Sequence, residues 1–223
     1  MFVRHATLDD LDALTSVEAA CFPPKEAADS ERLATRIEKF PEHFWLLINP
    51  DVDPSQGSFP AQLEDGMLVS FINGMTTDTA NLEDAMFSDT TIHNENGCWQ
   101  MILGVDTAPL YQHHGFAGYL MRRVILDCAI NHRAGIVLTC KEKLVPFYES
   151  FGFVDEGVCP SSHGGASWHQ MRLVFDSSLI NAEDALRFVD AHRTTAETIR
   201  LAMEETTHYM DNESTTGQFP AIS

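Results

Sequence analysis

Residues 111–123 read YQHHGFAGYLMRR, and the fold turns on how this stretch is read. It follows an apolar run, WQMILGV (residues 99–105), that reads as a strand, and it leads into a helix running to about His132. Gly115, Ala117 and Gly118 keep the first turn small, so its free backbone N–H groups can approach a bound group closely. The helix dipole puts its positive end at the same place, and Arg122 and Arg123 follow on the helix. Such a turn holds a polyanion with dipoles rather than with many cations. His113 and His114 also invite a metal reading. Adjacent residues point apart, however, and no further His or Cys sits at ligand spacing, so no metal is expected.

The rest of the composition sets bounds on that reading. The chain has 223 residues, with 14 Lys and Arg against 33 Asp and Glu, a formal net charge of −19. Phosphate contacts need lysine and arginine, so nucleic acid and anionic membranes are disfavoured as partners. No Lys or Arg occurs between Lys39 and Arg122, after which Arg122, Arg123, Arg133, Lys141 and Lys143 follow closely. These are either ordinary helix-face and loop cations or positive charge gathered where an anionic ligand sits. No stretch approaches the roughly 20 apolar residues of a membrane span, and the N-terminus lacks the apolar core of a signal peptide. Five cysteines form an odd set with no CxxC pair, which fits a reduced, cytoplasmic protein.

Along the chain, FVRHAT reads as a strand, and Thr7 can cap a helix whose first turn is acidic. Leu8, Leu11, Leu14 and Val17 recur at helical spacing, so one face of that helix is expected in the core. Two prolines break the pattern at CFPPKEAAD, and a second helix restarts at Ser30. FWLLIN and GMLVSFING read as a hairpin around a long exposed loop. IVLTC is a buried strand, KEKLVPFYESF a short helix ended by Gly152, and FVDEGVC and SWHQMRLVF two more strands. This order predicts an α/β mixed sheet with helices on its faces, over residues 1–175. Residues 176–223 read as a helical C-terminal extension with a loose end. Its narrow apolar stripe can pack on the domain, on a second subunit as a homodimer, or on nothing, and the first two are favoured.

A QxxGxA turn after a strand, then a helix, a strand and LVPFYESFGF, resembles the GNAT superfamily of acyl-CoA N-acyltransferases. More narrowly the chain is similar to the arylalkylamine N-acetyltransferase branch, from about Val3 to Phe175. The resemblance implies a mostly antiparallel mixed sheet whose two central strands splay apart, with acetyl-CoA as co-substrate in the gap. It places the pantetheine arm on Leu103, Gly104 and Val105. The pyrophosphate falls on Gln112, His113, His114, Gly115, Phe116, Ala117 and Gly118. Tyr148 matches the tyrosine that assists the departing thiol, and Cys140 a cysteine near the coenzyme.

The vertebrate members move the amine proton with two histidines, and here those positions hold Trp99 and Met101. The likeness is therefore to the non-vertebrate type, whose glutamate after the first helix corresponds to Glu26. A base is needed in any case, because an alkylammonium near pKa 10.4 opposes deprotonation at pH 7 by about 4 to 5 kcal/mol. Glu26 can alternatively be an exposed loop charge, and His163 and His169 are rival bases. The expected activity is direct acetyl transfer to a primary amine. The alternative is a non-catalytic acyl-CoA-binding or regulatory module, which keeps the phosphate turn and needs no base.

Overall fold

The computed structural model describes residues 1–51, 61–161 and 163–175, so the 176–223 extension lies outside the described residues. Strand β1 (Phe2–His5) leads into helices α1 (Leu11–Cys21) and α2 (Ser30–Lys39). Strands β2 (Phe44–Asn49), β3 (Gln62–Leu63), β4 (Gly66–Thr77) and β5 (Trp99–Thr107) come next. Helix α3 (Phe116–Ile130), β6 (Gly135–Cys140), α4 (Val145–Glu149), β7 (Val154–Val158) and β8 (His169–Val174) complete the order. The expected order holds, with β3 added as a two-residue partner of β4.

The sheet runs β1-β2-β4-β5-β6-β8-β7. Every pairing is antiparallel except β5 with β6, which are joined through the α3 crossover. That parallel pairing lasts only from Trp99↔Gly135 to Ile102↔Leu138. Beyond Ile102 the strand β5 stays paired with β4 alone, so the sheet opens between β5 and β6. A bulge marks the same point. Asn73 faces Gly104 and Gly74 faces Ile102, which leaves Leu103 without a counterpart on β4.

Leu14 and Val17 of α1 are fully buried, as their spacing predicts. Leu8 is not: it is 48% exposed. The reason is local, because Thr7 and Asp10 form a capping box around a 3₁₀ turn at Leu8–Asp10, and α1 proper begins only at Leu11. Helix α2 starts at Ser30 as expected, and Asp29 caps it, its carboxylate accepting from Arg32 N at 2.9 Å. On α2, Leu33 and Ile37 face the core.

Candidate active site

The opening between β5 and β6 forms a cavity. Leu103, Gly104 and Val105 line it from β5, and Leu138, Thr139 and Cys140 from β6. Tyr148 lines it from α4, and Glu18, Phe22 and Glu26 reach it from α1 and the segment after it. Phe87 and Trp168 add aromatic walls. Six residues expected at the site from sequence, namely Leu103, Gly104, Val105, Cys140, Tyr148 and Glu26, thus meet around one space.

Tyr148 is buried, with its ring edge-on to Phe153 at 5.9 Å. Burial pushes its phenol well above the usual range, and the nearby Cys140 and Asp106 push the same way, so the hydroxyl stays protonated. Burial also raises the Cys140 thiol to about 12, with Asp155 and Cys159 adding to it. Cys140 is therefore a neutral wall residue and not a thiolate nucleophile.

Glu26 is not an exposed loop charge. Its side chain is 7% exposed and paired with Lys141 at 2.8 Å. The Lys141 ammonium also lies 5.5 Å from the Trp168 ring centroid. His169 Nδ1 lies 3.0 Å from the Asp155 carboxylate, and His169 is not among the residues lining the cavity. The side chain of His163 falls outside the described residues.

Residues 112–118 form the turn that the sequence predicts, beyond the end of β5. Gln112 ties it to the strand by donating from Nε2 to Thr107 O at 3.1 Å. His113 (φ 66°) and Gly115 (φ 82°) both take left-handed backbone, and Gly115 is the N-cap of α3. A Cβ on Gly115 would meet nothing within 4 Å, so the demand there is conformational rather than steric within the chain. The first intrahelical bond runs from Tyr119 N to Gly115 O, which leaves the amides of Phe116, Ala117 and Gly118 at the free end. Arg122 folds back on this turn, donating to Gly118 O at 3.0 Å with its guanidinium 5.0 Å from the Phe151 centroid.

The sequence reading missed a buried charged group beneath the cavity. Glu18 of α1, Arg36 of α2 and Asp106 of β5 are all 4% exposed or less. Arg36 donates to Asn73 Oδ1 at 2.8 Å and to Phe87 O at 2.9 Å. Burial pulls its guanidinium down to about 10, which still leaves it cationic at neutral pH. Asp106 is pushed far up, first by burial and then by the Glu18 charge. A separate set, His43, His93 and Glu95, brings possible metal-ligand atoms within 4.8 Å of one another, whereas the expectation had concerned only His113 and His114.

No family model matches the sequence. Among solved structures, the chain is similar to the loading GNATL domain of CurA from Lyngbya majuscula, with a TM-score of 0.60 and 19% identity over 78% of this chain and 96% of that one. It is similar to a GNAT-like decarboxylase, GphF, in complex with isobutyryl-CoA, with a TM-score of 0.58 and 18% identity over 78% and 99%. It is also similar to the ribosomal-protein-S18-alanine N-acetyltransferase from Escherichia coli, at 0.53 and 14% over 78% and 92%. The architecture is the GNAT fold. At these identities the likeness reaches the fold alone, and one neighbour is a decarboxylase, so function has to be argued from the site.

Proposed function

We propose that this protein is an acetyl-CoA-dependent N-acetyltransferase that transfers the acetyl group directly to a primary amine, with arylalkylamines as the substrate class. The observation that carries the reading is the cavity at the β5–β6 opening, with Tyr148 in its wall and the α3 turn following β5. The residues fit an extended, anion-tailed thioester. The bulge at Leu103 frees strand backbone for a pantetheine amide, and the free amides of residues 116–118 suit a pyrophosphate. Bound there, the co-substrate would supply the activated acetyl group.

Tyr148, kept protonated by burial, donates to a departing sulfur. The neutral Cys140 gives no covalent relay, which supports direct attack by the amine. Phe22, Phe87 and Trp168 offer aromatic faces to an aryl group, and the Glu26–Lys141 pair borders the same space. No helix among the described residues is long and apolar enough to cross a membrane. The five cysteines carry free thiols, which supports the cytoplasmic location expected from the sequence.

The test is CoA release from acetyl-CoA with arylethylamines, polyamines and peptide N-termini, on wild type and Tyr148→Phe. Arylethylamines should turn over best. The variant should lose about 10²-fold in kcat with CoA affinity unchanged, the usual scale for deleting one transition-state donor. Tight CoA binding with no turnover on any amine would make the protein a binding module. Loss of CO₂ from a carboxylated acyl thioester without amine would place it with decarboxylase chemistry.

A further inference from the structure

The group around Asp106 has a chemistry that the site described so far leaves unused. Asp106 is fully buried, and its side-chain hydrogen-bond partners are the Cys21 thiol and the Glu18 carboxyl, with no cation bonded to it among the described residues. Asn73 is also fully buried. Its Oδ1 accepts from Arg36, which fixes the amide orientation and turns Nδ2 the other way, where it has no acceptor. A Cβ built on Gly104 would lie 2.6 Å from Asn73 Nδ2 and 3.2 Å from Asp106 Oδ2. The unsatisfied Asn73 donor and the Asp106 carboxyl therefore converge behind Gly104, a wall residue of the cavity. Glu18, whose Oε1 accepts from Ala28 N at 2.8 Å, lines that cavity itself.

The charges facing this point come from five elements. Helix α1 brings Glu18 and Cys21, α2 brings Arg36 with Arg32 and Asp29 further out, β4 brings the neutral Asn73, β5 brings Asp106, and α4 brings Tyr148. The Cys21 and Tyr148 protons stay in place, because burial pushes Cys21 to about 12 and Tyr148 higher. Two carboxyl groups thus face one buried guanidinium, which is itself hydrogen-bonded to Asn73 and Phe87. Two like charges in a dry site do not both ionise, so one carboxyl keeps a proton.

We propose that Glu18 and Asp106 act as one carboxylic acid–carboxylate pair that receives the proton shed by the incoming ammonium, with Glu18 at the cavity wall as acceptor and Asp106 behind it as positioning group. The proposal rests on the amine acetyltransferase reading. The ammonium gives one N–H proton to the Glu18 carboxylate and becomes a neutral amine. Its lone pair forms the C–N bond to the thioester carbon, the C–S bond breaks, and the sulfur leaves with the electron pair. The second nitrogen proton ends on that sulfur, and the first leaves Glu18 for solvent. The Glu26–Lys141 pair takes no part in this transfer.

Two measurements on the full chain test the pair. Carbon-13 carboxyl NMR of the unliganded protein, which needs no turnover, should show Glu18 and Asp106 titrating together. One of them should stay protonated well above the ordinary carboxylate range of about 3.9 to 4.3. Asp106→Asn should then move Glu18 down by about one pH unit or more. In turnover, Glu18→Gln should lose about 10²- to 10⁴-fold in kcat/KM at neutral pH with CoA binding retained. Asp106→Asn should shift the acid limb of the pH–rate profile downward, which a merely structural role would not do.

Ordinary, independent ionisation of both carboxyls in wild type overturns the pair, whether or not the variants fold. Normal kcat/KM in Glu18→Gln overturns the acceptor role while leaving the acetyltransferase reading standing. Failure of wild type on every amine sinks the acetyltransferase reading and the acceptor role together.

Discussion

Strand β5 carries a buried polar group at each end, and the two differ in how far their hydrogen bonds are closed. At Gln100, the side-chain amide donates to Met75 O at 3.2 Å and Met101 O at 3.0 Å, so its oxygen must face His43 Nδ1, 2.8 Å away. His43 Nε2 meets Glu95 at 3.1 Å, and Arg133 closes the set on Glu95 at 3.0 Å. At Asp106, about 20 Å further along the strand, the Asn73 amide nitrogen lacks an acceptor among the described residues, and the carboxyl meets Cys21 and Glu18 with no cation bonded to it. A closed buried network makes a structure rigid, whereas an open one is tolerated where chemistry needs it. The open group borders the cavity.

The two groups should answer pH with opposite signs. Burial lowers His43, so the unfolded chain binds more protons near pH 6.5 and stability falls as pH drops through that region. Asp106 is raised, so the folded chain holds a proton that the unfolded chain releases above about 3.9. Stability should therefore decline as pH rises from there through the higher folded value. The largest effect expected from breaking this contrast is Arg36→Met, which strips the open group of its only buried cation. At pH 7 it should destabilise by about 3 to 5 kcal/mol. The loss should shrink toward pH 5, where the carboxyls take up protons. Urea denaturation across that range is the measurement, and a small, pH-independent loss would uncouple Arg36 from Glu18 and Asp106.

The Gly115 turn, the strand order and Tyr148 were legible in the sequence because each is a local pattern: a run, a turn, a short helix. The open group was not, since α1, α2, β4 and β5 supply one residue each. Yet it had left a signal. Glu18 follows Leu14 and Val17 on the buried stripe of α1, and Arg36 sits with Leu33 and Ile37 on that of α2. A charge on a stripe that should be apolar marks a buried ion, as Glu18 and Arg36 both are. Glu26 was placed correctly at the cavity, but its partner Lys141 lies 115 residues away and no local pattern announces it. Leu8 misled because a 3₁₀ turn ahead of α1 moves it out of the helical register.

The closed group offers a middle-sized test. Gln100→Ala removes the acceptor of the His43 Nδ1 proton and reopens two backbone carbonyls. It should destabilise by about 1 to 3 kcal/mol, the range for leaving a buried donor unsatisfied. Unlike Arg36→Met, it should show no recovery toward pH 5. If it did recover, the closed group would be answering protons as the open one does, and the contrast between the two ends of β5 would fail.

The smallest effect belongs to Glu95→Gln. Glu95 is the only carboxylate of the closed group, but its side chain is 59% exposed, and exposed ion pairs are worth about 0 to 1 kcal/mol. At pH 8 the substitution should thus be nearly silent, and added salt should make it more so. At pH 5 it should be felt more, because the Glu95 charge is what opposes the burial-driven lowering of His43. Without it, His43 resists protonation further and the acid-side loss deepens. Thermal or urea unfolding at the two pH values would show this difference. Equal effects at both would mean that His43 does not sense Glu95, and the Glu95 contact would then be a surface pair like any other. The carboxylate at the closed end is replaceable because water already screens it, while those at the open end are buried beside Arg36 and have no such screening.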